Sequence, residues 1–174
     1  MSDEARLADP APLLPYLPPA SAIIVRRRDP LEARDMARAL TRAAAGSGIT
    51  ILLSASSPVD RLEAHGLHIP EAALGRWKRT EINRLQPQLV TTSAHGPLAA
   101  MRAAMFGADA VLVSPVFSTK SHEARQALGL MRFASIAEAA PLPVIALGGV
   151  GAAQIRRVFH AGAAGIAGIG LFQP

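Results

Sequence analysis

Pro143-Val144-Ile145-Ala146-Leu147-Gly148-Gly149-Val150 enters from a proline, runs through four aliphatic residues and leaves into two glycines. Val144–Leu147 is too short for a helix and reads as a strand buried on both faces. Segments of the same kind recur at Ala22–Arg26, Ile49–Ser54, Leu67–Ile69, Leu89–Thr92, Ala110–Ser114 and Gly165–Ile169, each bounded by Gly, Pro or Ser. Amphipathic stretches alternate with them. Asp29-Pro30 starts a helix over Leu31–Ala45 whose apolar face is Leu31, Met36, Ala37, Leu40 and Ala44, and Gly46 and Gly48 end it. Further helices are predicted over Pro97–Phe106, Leu130–Ala140 and Ala152–Ala161, with shorter ones near Pro58–His65 and Thr80–Leu85. Strict βα alternation predicts a parallel sheet with crossover helices. The pattern alone fits both an open doubly wound sheet and a barrel, and it shows seven strands where a barrel needs eight.

The 174 residues are expected to form a single domain, 1–174. Half of them are hydrophobic and only 4% aromatic, so Ala, Leu, Ile and Val must build the core. Five prolines between residues 8 and 21 read as an irregular connection. Without cysteine there is no disulfide, thiolate metal site or thiol nucleophile. No apolar run reaches the length of a membrane span, and Met1–Asp9 lacks the pattern of a signal peptide, so the expected location is cytoplasmic. The net charge of +5 has one basic run, Arg26-Arg27-Arg28, with no interleaved aromatics. That distribution favours an anionic small-molecule partner over nucleic acid.

In parallel α/β folds the chemistry lies where strands run out into the following loops. Those positions hold Arg26, Arg28 and Asp29; Ser93 and His95; the loop Ser114–His122; Gly148-Gly149; and Ile169-Gly170. Gly148-Gly149, followed one strand later by Gly168-Ile169-Gly170, lets the backbone approach a phosphate, although a glycine pair also makes an ordinary tight turn. Thr119, Lys120, Ser121 and His122 offer hydroxyls, an ammonium and an imidazole to such an anion, or to water on a solvated loop. His68, inside an apolar run, reads as a core histidine. Carboxylates are scarce: beyond Glu81 there are only Asp109, Glu123 and Glu138, and no metal site is evident.

Several stretches then resemble one family in order and spacing. They are Ser93-Ala94-His95, Gly107-Ala108-Asp109, Ser114–His122, Leu128-Gly129-Leu130 and Pro143–Val150, with Gly66-Leu67-His68-Ile69 upstream. The chain resembles the thiamine-phosphate synthase/TenI family, whose fold is a TIM-type (β/α)8 barrel. Met1–Glu4 is similar to the end of that family's first strand, so the barrel is expected to be shortened there. The N-terminal residues, a partner copy in a homo-oligomer, or further upstream residues are expected to cover the seam. The resemblance implies joining of a hydroxymethylpyrimidine diphosphate to a thiazole phosphate, assisted by Mg2+. It further implies that Arg26, Arg28, Ser93, Thr119, Ser121 and His122 contact the diphosphate, and that Gly149 and Gly170, with Gly148 and Ile169 beside them, hold the thiazole phosphate.

Two departures stand against that pattern. Leu53-Ser54-Ala55 replaces an Asn-Asp pair, and Pro70-Glu71-Ala72-Ala73 lacks the family's second aspartate, with Glu71 a displaced substitute. The Mg2+ expected for the family therefore lacks its ligands. The sister activity, tautomerising thiazole phosphate, needs acid–base groups and no metal, but its histidine position is Pro115 here. His122, His95 and Lys120 are then the catalytic candidates. Three readings follow: a synthase with a metal-poor site, a metal-free tautomerase, and a non-catalytic protein that binds a phosphorylated ligand.

Overall fold

The structure is a computed structural model, and it describes residues 7–118 and 126–171. These fall into two compact units, one reaching Val90 and the other running from Thr91 to Leu171.

In the first unit, β1 (Ala22–Val25), β2 (Thr50–Ser54) and β3 (Gly66–Ile69) pair in parallel and in sequence order. Their register sets Val25 beside Leu53, Leu52 beside Gly66 and Ser54 beside His68. A Cβ on Gly66 would lie 2.1 Å from the Leu89 carbonyl oxygen and 2.7 Å from Leu52 Cδ2. Only a residue without a side chain lets Leu52 lie across β3 there.

Between β1 and β2 runs α1 (Pro30–Ala43), capped by Asp29, whose carboxylate accepts from the Leu31 and Glu32 amides at 2.7 and 3.0 Å. The helix buries Ala33, Ala37 and Leu40, with Ala44 following on the same face. This corrects the expected phase, because Leu31 is 68% exposed and Ala33 occupies the buried position. Small side chains set the spacing between helix and sheet.

Two further expectations in this unit are corrected. No helix forms over residues 55–65. There Glu63 faces Arg34 and Arg38 at 4.0 and 3.6 Å, and His65 Nδ1 accepts from the Ile51 amide at 3.0 Å. Tertiary contacts, rather than a local hydrogen-bond ladder, hold this loop. The proline-rich segment contains a 3-10 helix, Ala11–Tyr16, in which prolines cost little because i→i+3 bonding over two turns needs few amide donors. A second 3-10 helix, Glu71–Arg76, precedes α2 (Arg79–Leu85).

The second unit contains β4 (Val90–Ala94, its first residue closing the other unit), β5 (Ala110–Val113), β6 (Val144–Leu147) and β7 (Gly165–Ala167), again parallel and in sequence order. Its helices are α3 (Pro97–Phe106), α4 (Gly129–Ala139) and α5 (Ile155–His160), the last preceded by a 3-10 turn, Ala152–Gln154. Ala99, Ala100 and Ala103 of α3, Phe133 and Ile136 of α4 and Val158 of α5 close over Val111, Val113, Val144 and Ala146. Alternation along the strands therefore turns Ser93, Leu112 and Ile145 to the opposite face. Thr92 is buried on the helix side, and its hydroxyl has no hydrogen-bond partner among the described residues.

Among the described residues no helix is long and apolar enough to cross a membrane.

Candidate phosphate-ligand site

Each unit presents a row of side chains where its strands end. In the first, Ser54 is paired with His68 on the face that carries Leu52 and Gly66, and Arg26 follows Val25, the last residue of β1, which is paired with Leu53. Arg26 and Arg28 are exposed, while Arg27 between them turns the other way. The Arg27 guanidinium donates to the Ala8 carbonyl and lies 3.3 Å from Met36 Sδ. Strand alternation thus divides the basic run into two outward cations and one packing residue.

His68 is 3% exposed, and its pKa is lowered to about 4. Burial is the main cause, and nearby positive charge, including that of Arg26, adds to it. The ring is neutral at physiological pH.

The second row is tied together by hydrogen bonds. His95, just past β4, reaches the Ser114 carbonyl oxygen with Nδ1 at 2.6 Å. A carbonyl can only accept, so Nδ1 carries the proton and the basic lone pair of the neutral ring is on Nε2. The Ser114–Pro115 peptide is cis, and Pro115 is buried. Beyond it the Val116 and Phe117 amides donate to the carbonyls of Leu147 and Gly148, each at 3.0 Å.

Gly148 (φ +92°) and Gly149 (φ +66°) turn sharply out of β6. A Cβ on Gly148 would meet Pro115 Cα at 2.9 Å, and one on Gly149 would meet the Ser118 carbonyl at 2.6 Å. The backbones of two loops therefore touch where the sequence has two glycines. Gly149 and Gly170 are exposed, and Ile169 is half-buried. Ser93 lies lower on the same face of β4, beside Leu112. Thr119, Lys120, Ser121 and His122 lie outside the described residues. Ser54 and the Ser114 carbonyl had no signal in the sequence, since each is given its neighbours by strand register.

A family model described as thiamine monophosphate synthase matches residues 18–172. The chain belongs to that family. It is 41% identical over 90 residues to thiamine-phosphate synthase of Methanoculleus marisnigri, covering 50% of this chain and 43% of that protein. With the synthase of Chloroflexus aurantiacus it shares 29% over 143 residues, covering 79% and 60%. The chain spans less than two thirds of the length of the first curated relatives it matches. Among solved structures, thiamine phosphate pyrophosphorylase from Pyrococcus furiosus superposes with a TM-score of 0.69 at 21% identity, covering 93% of this chain and 78% of that one. The likeness establishes the fold class, TIM-type α/β, with seven strands among the described residues.

The first unit does not fit the Mg2+ that the family resemblance implied. A magnesium site needs carboxylate oxygens, but Leu53 and Ala55 are buried and apolar. The Ala55 amide donates to the His68 carbonyl at 3.0 Å, and its own carbonyl accepts from Trp77 Nε1 at 3.4 Å. Asp29 is occupied as a helix cap, and Glu63 by two arginines. Among the described residues no three His, Cys, Asp or Glu side chains are grouped so as to hold a metal ion.

Proposed function

We propose that this member of the thiamine monophosphate synthase family binds a phosphorylated small molecule and joins a hydroxymethylpyrimidine diphosphate to a thiazole phosphate. The observation that carries the reading is the Gly148-Gly149 turn. Its two positive φ angles turn the chain sharply out of the strand and leave Gly149 exposed, with no side chain between its backbone and a ligand. A phosphate is proposed to sit on that turn, with Gly170 and Ile169 after the next strand. Thr119, Ser121 and Lys120 are proposed to add donors to it. Ser93 is proposed as a polar contact on the same face. Arg26 and Arg28 are proposed to meet the charge of the diphosphate, and no carboxylate-held Mg2+ takes part.

A second reading has one observation of its own. With Nδ1 fixed as the donor to Ser114, His95 presents Nε2 as a base, which suits proton transfer on a heterocycle such as the tautomerisation of thiazole phosphate. His122 is the alternative base for that chemistry.

The deciding experiment follows thiamine phosphate formation from the two substrates, in EDTA and in Mg2+. Turnover in EDTA is expected. The absence of product under both conditions would overturn the synthase reading, and a His95-dependent change of the thiazole phosphate alone would establish the second.

A further inference from the structure

The helix α3 carries its large side chains on the side away from the sheet. Its ten residues include one charged group, Arg102. Ala99, Ala100 and Ala103 pack inward, while Leu98, Met101 and Met105 are 77%, 43% and 85% exposed. The outward side of α1, by contrast, shows Glu32, Asp35, Arg38 and Arg42. At 3.6 residues per turn, positions 98, 101 and 105 fall within about 60° of one another, opposite the buried alanines, and span about 10 Å of the axis. A spacing of three and then four is the narrow seam by which one helix packs on another. Met131 of α4, the helix packed against α3, is 82% exposed because Phe133 and Ile136 take the inward side there.

We infer that this face pairs with the same face of a second copy of the chain, in a twofold dimer whose α3 helices cross antiparallel at Met101. The spacing favours a second copy. With Leu98 three residues before Met101 and Met105 four after it, a twofold axis at Met101 turns Leu98 of each copy towards Met105 of the other. The size of the face agrees. Leu98, Met101, Met105 and Met131 together present on the order of 500 Å2 of apolar surface, the upper range for the largest patch on a monomer. With the exposed Pro97, Arg102, Arg132 and Ser135 around them, the face approaches the roughly 800 Å2 that each partner gives to a standard interface. Methionine suits the axis, where identical side chains meet and must repack around each other. A helix with a single charged residue also offers little to steer a charged partner of another kind. This inference is independent of the reaction proposed above.

The test combines light scattering of the whole chain over a dilution series with crosslinking at single cysteines, which is clean because the chain has none of its own. A mass of two chains that falls to one on dilution is expected. Met101→Lys combined with Met105→Lys should weaken the dimer by about a hundredfold or more, since each burial is lost twice across the axis. Both positions are exposed, so the core is untouched. A short bis-maleimide should join Met101→Cys into a dimer, and should leave Arg42→Cys, on the charged side of α1, as single chains. A mixture of Leu98→Cys and Met105→Cys should give mixed dimers faster than either variant alone.

A mass of one chain at every concentration would overturn the inference, and would mean that the face meets water or a different partner. So would a dimer that the two lysines leave within about twofold of its original affinity. Should the lysine variant fail to fold, crosslinking decides alone: Met101→Cys that joins no faster than Arg42→Cys refutes the twofold at α3.

Discussion

Replacing His68 should flatten the dependence of stability on pH, by an amount that follows from its surroundings. The unfolded chain titrates this imidazole near 6.5, whereas the folded chain does so near 4. Between those values the unfolded state holds a proton that the folded state refuses. The folded state is therefore favoured above pH 6.5, and that advantage is lost as pH falls towards 4. At about 1.4 kcal/mol per unit, the full loss is about 3 kcal/mol, of which about 2 kcal/mol is gone by pH 5. Urea midpoints measured from pH 8 to pH 4.5 on the unmodified chain and on His68→Gln supply the comparison. Carboxylates titrate alike in both proteins, so the difference between the curves isolates the histidine. The two stabilities should converge by about 2 kcal/mol between pH 7 and pH 5. Parallel curves would mean that the imidazole titrates alike in the folded and unfolded chain, and would refute the reasoning from burial and nearby positive charge.

Gly149→Ala should destabilise the second unit by about 1–3 kcal/mol, since it adds a methyl into the Ser118 carbonyl at a positive φ. An unchanged urea midpoint would show that the Phe117–Ser118 backbone is not held against this turn. Thr92→Val should raise stability by about 1 kcal/mol, because it removes a fully buried hydroxyl without a partner among the described residues. A loss of stability would show that this hydroxyl is hydrogen-bonded.

The strands were legible because each is a short aliphatic run with a turn residue at either end, and all seven occur within a residue or two of their expected bounds. Pro97–Phe106 was legible for the same reason, with proline at its start and glycine after its end. Helix phase was less so. Leu31 and Ala33 compete for one buried position, and the small residue fits closer to the sheet. The basic run was readable only in part, since composition shows three arginines and strand alternation decides which one packs. The pairing of Ser54 with His68 could not be read from the sequence at all. The two are far apart in the chain, and only the register of β2 and β3 makes them neighbours.

Charge counting makes the missing carboxylates less disabling than they look. A divalent cation held by two carboxylates contributes no net charge, so losing all three groups together leaves the local balance unchanged. What is lost is directional coordination, and hydrogen-bond donors can take its place. A neutral His68 adds no charge to that balance, because burial first, and nearby positive charge after it, hold its pKa down to about 4.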